Sequence, residues 1–165
     1  RILFQLGRLY GYAGDSAKTL AARRAAAAAG NPNAIFLLAY LDLELAREPA
    51  GRCSAAARMR LAADRGNYSA RVSYASYWLE GRFEACADRA SHADVTAYVA
   101  DAAPLADGFF ETRLVRHLAD RLAAVSGAQA RERLIEQMAG TWTGLFRRYD
   151  ASGALTDTVP SEVRI

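Results

Sequence analysis

The sequence predicts an all-α fold, an α/α superhelical solenoid of stacked helical hairpins followed by a short C-terminal β-hairpin-like segment. Three observations predict it. First, the run from Ala25 to Ala34, ending Gly30-Asn31-Pro32-Asn33-Ala34, recurs as the run from Leu61 to Ala70, so that Gly30, Asn31 and Ala34 return as Gly66, Asn67 and Ala70 at an offset of 36 residues. That period falls where one repeat is one helical hairpin. Second, apolar residues sit three and four apart through most of the chain, with Gly and Asn closing each alanine-rich stretch. Third, after Gly140 the composition turns to residues that favour strands.

Taken in order, Ile2, Leu3, Leu6, Leu9, Tyr10 and Ala13 mark a first helix over about residues 2–13, broken by Gly14-Asp15-Ser16. Asp15 or Ser16 caps a second helix from Ala17 to Ala29, whose alanines leave room for an antiparallel neighbour. A third helix runs from Asn33 to Ala46, with Pro32 at its first turn and Ile35, Leu38, Leu41, Asp42 and Leu45 on successive turns. Glu48-Pro49-Ala50-Gly51 ends it. Its partner starts at Ser54 or the residue before, carrying Ala57, Leu61 and Ala62 up to Gly66.

The third hairpin opens at Ser69 with an aromatic helix, Val72, Tyr74, Ala75, Tyr77, Trp78 and Leu79, that ends near Gly81. A long loop with some helical character covers Arg82 to Ser91. The partner helix spans Ala93 to Ala103, with Val95, Tyr98, Val99 and Ala102 inward and Pro104 as its stop. Ala102-Ala103 matches Ala62-Ala63 at a spacing of 40 residues, an insertion relative to the earlier period. Phe109 to Val125 is the next helix, with Phe110, Leu114, Val115, Leu118 and Leu122 on one face. Ser126-Gly127 stops it before a capping helix, Ala128 to Ala139, with Leu134, Ile135 and Met138 as its apolar face. Thr141 to Tyr149 and Ala154 to Val159 read as two strands around Asp150-Ala151-Ser152-Gly153. The domain reading is therefore 1–125 helical repeats, 126–140 capping helix, and 141–165 a β-hairpin or the start of a truncated β domain.

Composition narrows the class. Hydrophobic residues make up 52% of the 165, and charged ones 24%, enough apolar content for a folded core. Net charge is +3, almost entirely from arginines interspersed with acids, so no phosphate-tracking stripe stands out and nucleic acid is disfavoured. No run approaches the roughly 18 apolar residues of a membrane span. Arg1 is neither an initiator methionine nor the start of a signal peptide, and the chain reads as cut from something longer.

Once the hairpins are placed, Leu6-Gly7-Arg8-Leu9-Tyr10, followed by an alanine-rich helix and Gly30-Asn31, resembles the Sel-one-like repeat, a relative of the tetratricopeptide repeat. The later hairpins carry the same positions as Leu38-Ala39-Tyr40-Leu41-Asp42 and Tyr74-Ala75-Ser76-Tyr77-Trp78, with Asp42 standing where Tyr10 and Trp78 stand. The resemblance covers about residues 1–124. It implies a right-handed superhelix that acts as an adaptor for protein complexes, often in bacterial envelope or signalling pathways.

Physical reasoning beside it leads to a groove. Each hairpin buries one face only by stacking on the next, so the first helices line a concave surface suited to a peptide or a partner's helix. Residues off the buried stripes point there: Arg8 and Tyr12, Tyr40 and Glu44, Ser76 and Glu80. Cys53 and Cys86, in connections on the same edge of the stack, leave two readings open, a disulfide and a Cys86 buried in a short helix. A bridge implies an oxidising compartment, periplasm or cell envelope, and free thiols the cytoplasm.

Chemistry-bearing patterns are sparse. The two cysteines, 33 residues apart without paired histidines, make a poor zinc site, and His92 and His117 have no metal spacing. Tyr74, Tyr77, Trp78, Phe109 and Phe110 at helical spacing are core rather than a ligand cage. No catalytic residue, metal or cofactor is assigned. Trp142, Gly144 and Phe146 resemble a strand opening a calycin-like barrel, the one place for a small-molecule reading. The sequence thus points to a non-enzymatic scaffold for protein or peptide partners, accessory to a larger bacterial protein or complex. The alternative is an auxiliary module of an enzyme whose catalytic domain lies outside this stretch.

Overall fold

In the computed structural model the described residues are 2–138, 141–149 and 155–164, with side chains described over 2–132. They are predominantly helical. The chain divides into two compact units, Arg1–Ala123 and Ala124–Ile165. In the first, α1 (Ile2–Tyr12), α2 (Ser16–Ala28), α3 (Pro32–Leu45), α4 (Pro49–Asp64), α5 (Tyr68–Leu79) and α6 (His92–Ala102) pack in chain order, each on the next. A 3-10 turn, Ala103–Leu105, and α7 (Phe109–Met138) follow.

The helix ends are written locally. Asp15 accepts from Lys18 N, Asn31 from Ala34 N and Asn67 from Ala70 N, each satisfying a first-turn donor that the helix itself leaves free. Ser91 and Asp94 form a capping box at the start of α6. Gly30 and Gly66 take φ of 81° and 83°, values that only glycine adopts at little cost, and turn the chain out of α2 and α4. The bonds around them match: Asn31 N donates to Ala26 O and Asn67 N to Ala62 O, both at 3.0 Å.

Consecutive turns are tied to each other. Arg65 Nη1 donates to Gly30 O at 3.1 Å, and Asn67 Nδ2 to Asn33 Oδ1. Arg71 reaches Ala63 O at the end of α4 and both the carbonyl and the carboxylate of Asp101 in α6. The Tyr98 hydroxyl donates to Asp64. Burial and this hydrogen bond to an anion both hold the Tyr98 phenol well above the ordinary range.

The core is a seam of alanines. Ala34, Ala39, Ala55, Ala62, Ala70 and Ala75 are fully buried, and Leu43, Met59, Tyr74, Phe83, Val95 and Leu118 fill the wider gaps. Gly7, Ala39 and Ala75 hold the same position in α1, α3 and α5, and all are buried. A Cβ on Gly7 would come within 3.3 Å of Arg23 Cγ and 3.5 Å of Ala22 Cβ, so α1 and α2 approach closely there.

Several sequence expectations need correction. α4 begins at Pro49, not near Ser54: proline at the first helical position forfeits an N–H that has no partner anyway, so the residues that end α3 also start α4. Cys53 is consequently helical. α7 is continuous through Ser126-Gly127, because an isolated glycine costs a helix only about 1 kcal/mol against alanine and strong helix formers flank it. Pro104 lies inside the 3-10 turn after α6 has ended. The apolar stripes also mislead in part: Leu41, Leu45, Leu61, Phe110 and Leu114 are exposed, and in α1 only Gly7 is buried. α6 buries the four residues expected, Val95, Tyr98, Val99 and Ala102.

In the second unit β1 (Thr141–Tyr149) and β2 (Leu155–Arg164) pair antiparallel, from Thr141 opposite Arg164 to Tyr149 opposite Leu155, with an irregularity at Arg148/Tyr149. The Asp150 to Gly153 turn and the side-chain readings for Leu134, Ile135, Met138, Trp142 and Phe146 lie outside the described residues. No helix of the described residues is long and apolar enough to cross a membrane.

Candidate functional site

The groove candidates fall into pairs one helical turn apart. Arg8 Nη2 donates to the Tyr12 hydroxyl at 3.2 Å on α1, and Ser76 Oγ to Glu80 Oε1 at 3.0 Å on α5 and its C-cap. On α3 the Tyr40 ring packs on Phe36, centroids 6.1 Å apart, and Glu44 lies one turn on. Arg8, Tyr12, Tyr40, Glu44 and Glu80 are exposed and Ser76 is half-buried.

The structure brings the middle pairs together through two residues that sequence reasoning assigned elsewhere. Gly81, at φ 74°, turns the chain back after α5 and aims Arg82 across the gap between α3 and α5. There the Arg82 guanidinium lies 4.3 Å from the centroid of the Tyr77 ring and 3.6 Å from Glu44 Oε1. Tyr77, expected in the core, is half-buried. Burial, then Tyr40 and Glu44, hold its phenol above the ordinary range, with Arg82 opposing them. Tyr40, Glu44, Tyr77, Arg82 and Glu80 therefore form one aromatic and ionic patch. Arg8 and Tyr12 are not part of it; Arg8 borders a separate cleft of about 950 Å³ with α1 and the start of α3. The resemblance offered no signal for Arg82, which the sequence places in a loop.

A disulfide links Cys53 and Cys86, with Cα atoms 5.2 Å apart. It fastens the second turn of α4 to the connection between α5 and α6. Beside it lies a cleft of about 340 Å³ whose lining includes Glu44, Arg52, Arg82 and Glu84, so the bridge and the patch share an edge. The Asp42 that stands in an aromatic position pairs instead with Arg58 of α4.

The remaining candidates are structural. His92 starts α6, donates from Nε2 to Leu122 O at 2.9 Å and meets the edge of Trp78. His117 is exposed on α7. Tyr74 and Trp78 are buried and bond Ala90 through N and O respectively. Phe109 and Phe110 are 70% and 84% exposed, against the expectation of core, because α7 turns Val115, Leu118 and Leu122 inward instead. Among the described residues no group of three or more His, Cys, Asp or Glu gathers as a metal site would.

No protein-family model, curated protein or solved structure matches the chain. The functional reading therefore rests on the geometry above.

Proposed function

We propose that the first unit is a short solenoid of Sel-one-like hairpins, α1/α2, α3/α4 and α5/α6, that serves as a non-enzymatic scaffold and holds a protein or peptide partner along its first helices. The observation that carries this reading is the identical turn at Gly30-Asn31 and Gly66-Asn67, with the same glycine φ, the same backbone bonds and the same asparagine cap. Helices that contact mainly their chain neighbours support stacking in line over wrapping round one centre.

The binding face is the patch centred on Tyr40, Glu44 and Arg82, extended by Ser76 and Glu80 and, on the first hairpin, by Arg8 and Tyr12. Exposed aromatic rings beside fixed charges suit an extended peptide or a partner helix, since tyrosine supplies contact area at low entropic cost and arginine a directed donor. The bridge between Cys53 and Cys86 supports an oxidising compartment such as the cell envelope. The paired C-terminal strands are taken as a β-hairpin appended to this scaffold, and a bacterial accessory role follows from the resemblance alone.

The test is site-specific. A photo-crosslinking amino acid at Tyr40 should capture a discrete partner that the same group at exposed Ala57, on α4, does not. In a pull-down of that partner without the crosslinker, Tyr40→Ala with Glu44→Ala should reduce capture at least ~10-fold at an unchanged melting temperature. Full capture by the folded double variant would remove the groove from consideration.

A further inference from the structure

Among the described residues, cations of the chain lie over four aromatic rings: Lys18 over Tyr10, Arg82 over Tyr77, Arg89 over Trp78 and Arg113 over Phe109. At Tyr77 the cation also has an acid. The Arg82 guanidinium is 4.3 Å from the ring centroid and 3.6 Å from Glu44 Oε1, so a ring and a carboxylate share it. Tyr40 and Glu44 offer the same pairing on α3, a ring and an acid one helical turn apart. Tyr40 is 40% exposed, packs on Phe36, and has no cation of the described residues over it.

The charge beside that ring is unbalanced. Two exposed carboxylates, Glu44 and Glu80, stand with one guanidinium, Arg82, while the adjoining cleft adds Arg52 and Glu84, which cancel. Ser76 Oγ donates to Glu80 Oε1 at 3.0 Å, a neutral donor that orients the carboxylate and leaves its charge in place. The Tyr77 phenol feels these groups together: beyond burial, Tyr40, Glu44 and Glu80 raise it and Arg82 alone lowers it. The excess of acid is local, because the whole chain carries +3. An acidic segment laid here would meet like charge, and an apolar one would strip water from the carboxylates without replacing it. A basic side chain meets neither cost.

We propose that this patch receives a lysine or arginine side chain from a basic peptide segment of the partner, with the cation over the exposed Tyr40 ring and within reach of Glu44 and Glu80. The inference rests on the groove given under Proposed function and adds the sign of the partner's charge. Arg82 then positions Glu44 without itself binding the partner.

Two capped peptides serve as probes on the native, disulfide-bonded chain, one of Gly-Lys-Ala repeats and one of Gly-Glu-Ala repeats. The lysine peptide should shift the NMR signals of Tyr40 and Glu44 saturably, and the glutamate peptide should leave them in place. Glu44→Gln with Glu80→Gln should weaken the lysine peptide at least ~3-fold at an unchanged melting temperature. Tyr40→Leu should weaken it at least ~2-fold. Arg82→Gln should bind it as well or more tightly, whereas a partner recruited through Arg82 would lose affinity. Shifts from the glutamate peptide, no saturable shift from the lysine peptide, or binding indifferent to the two glutamates overturns the proposal. A partner captured from Tyr40 whose pull-down ignores Glu80→Gln also overturns the charge assignment but leaves the groove standing. Full capture by the Tyr40, Glu44 double variant removes both.

Discussion

Replacing Asn67 by alanine tests the junction on which stacking depends. Asn67 is 7% exposed and makes two bonds: its Oδ1 accepts from Ala70 N at 2.7 Å, and its Nδ2 donates to Asn33 Oδ1 at the start of α3. Loss of an asparagine cap costs about 1 kcal/mol in most hosts. Here Ala70 is fully buried, so water cannot replace the lost acceptor, and an unsatisfied buried donor raises the cost toward ~2–3 kcal/mol. Asn33 is exposed and resolvates freely, so its lost bond adds at most about 1 kcal/mol. Asn31→Ala leaves the equally buried Ala34 donor without its acceptor but breaks no second bond, so it should cost about 1 kcal/mol less than Asn67→Ala. Asn67→Asp keeps the cap acceptor, and rotation of the Asn33 amide restores the cross-turn bond, so it should be nearly neutral. Urea unfolding with the disulfide intact measures all three at constant m-value. Equal losses for Asn31→Ala and Asn67→Ala would refute the argument that the inter-turn bond to Asn33 adds to the cap.

Four further outcomes follow. Cys53→Ser with Cys86→Ser removes a link across 33 residues and should cost ~4 kcal/mol by loop-closure entropy, with the helical circular-dichroism signal retained because Phe83 and the Ala90 bonds still hold the connection. Asp94 is held below its ordinary 3.8 by the Ser91 amide and hydroxyl. A carboxylate depressed in the folded state stabilises fully above 3.8 and loses that contribution as pH falls, so the melting-temperature gap between the native chain and Asp94→Asn should close between pH 5 and the lowered folded value. Gly66→Ala should cost about 1–2 kcal/mol from its φ of 83° alone, since nothing lies within 4 Å of the added Cβ. Gly127→Ala, inside α7 and equally uncrowded, should instead stabilise by about 0.5–1 kcal/mol in thermal melts.

The helices were legible because their ends are chemical. Asp15, Asn31, Asn67 and Ser91 each bond the amide that their position requires, and no tertiary information enters. What periodicity could not decide was which apolar stripe turns inward. In α3 two stripes compete, and the one holding Ala34 and Ala39 is buried while Leu41 and Leu45 face out. Close helix approach rewards the smaller residue, whereas hydropathy ranks the larger one first. In α7 residue size does not decide: Val115, Leu118 and Leu122 of the expected stripe are buried while Phe110 and Leu114, nearer its start, face out. α6 escaped the competition seen in α3 because Val95, Tyr98, Val99 and Ala102 form its single apolar stripe. At the candidate site, Tyr40 and Glu44 were reachable from helical phase alone. Arg82 was not, because its place beside Glu44 depends on the turn at Gly81 and on how far α3 lies from α5.

A seam of alanines has an energetic consequence that connects fold to function. Each buried methyl contributes about 0.8 kcal/mol, far less than a leucine, so helix packing alone holds each junction weakly. The junctions are reinforced by directed contacts: Arg65 to Gly30, Asn67 to Asn33, Arg71 to Asp101, Tyr98 to Asp64, and the covalent link from Cys53 to Cys86. These contacts fix orientation more stringently than apolar surface does, because a hydrogen bond fails within a few tenths of an ångström while hydrophobic burial is tolerant of sliding. A scaffold that must present Tyr40, Glu44 and Arg82 from separate elements at a constant spacing needs that stringency. On this view the bridge matters most at the patch, where it anchors the very connection that carries Arg82. Reduction should therefore loosen the patch before it melts any helix.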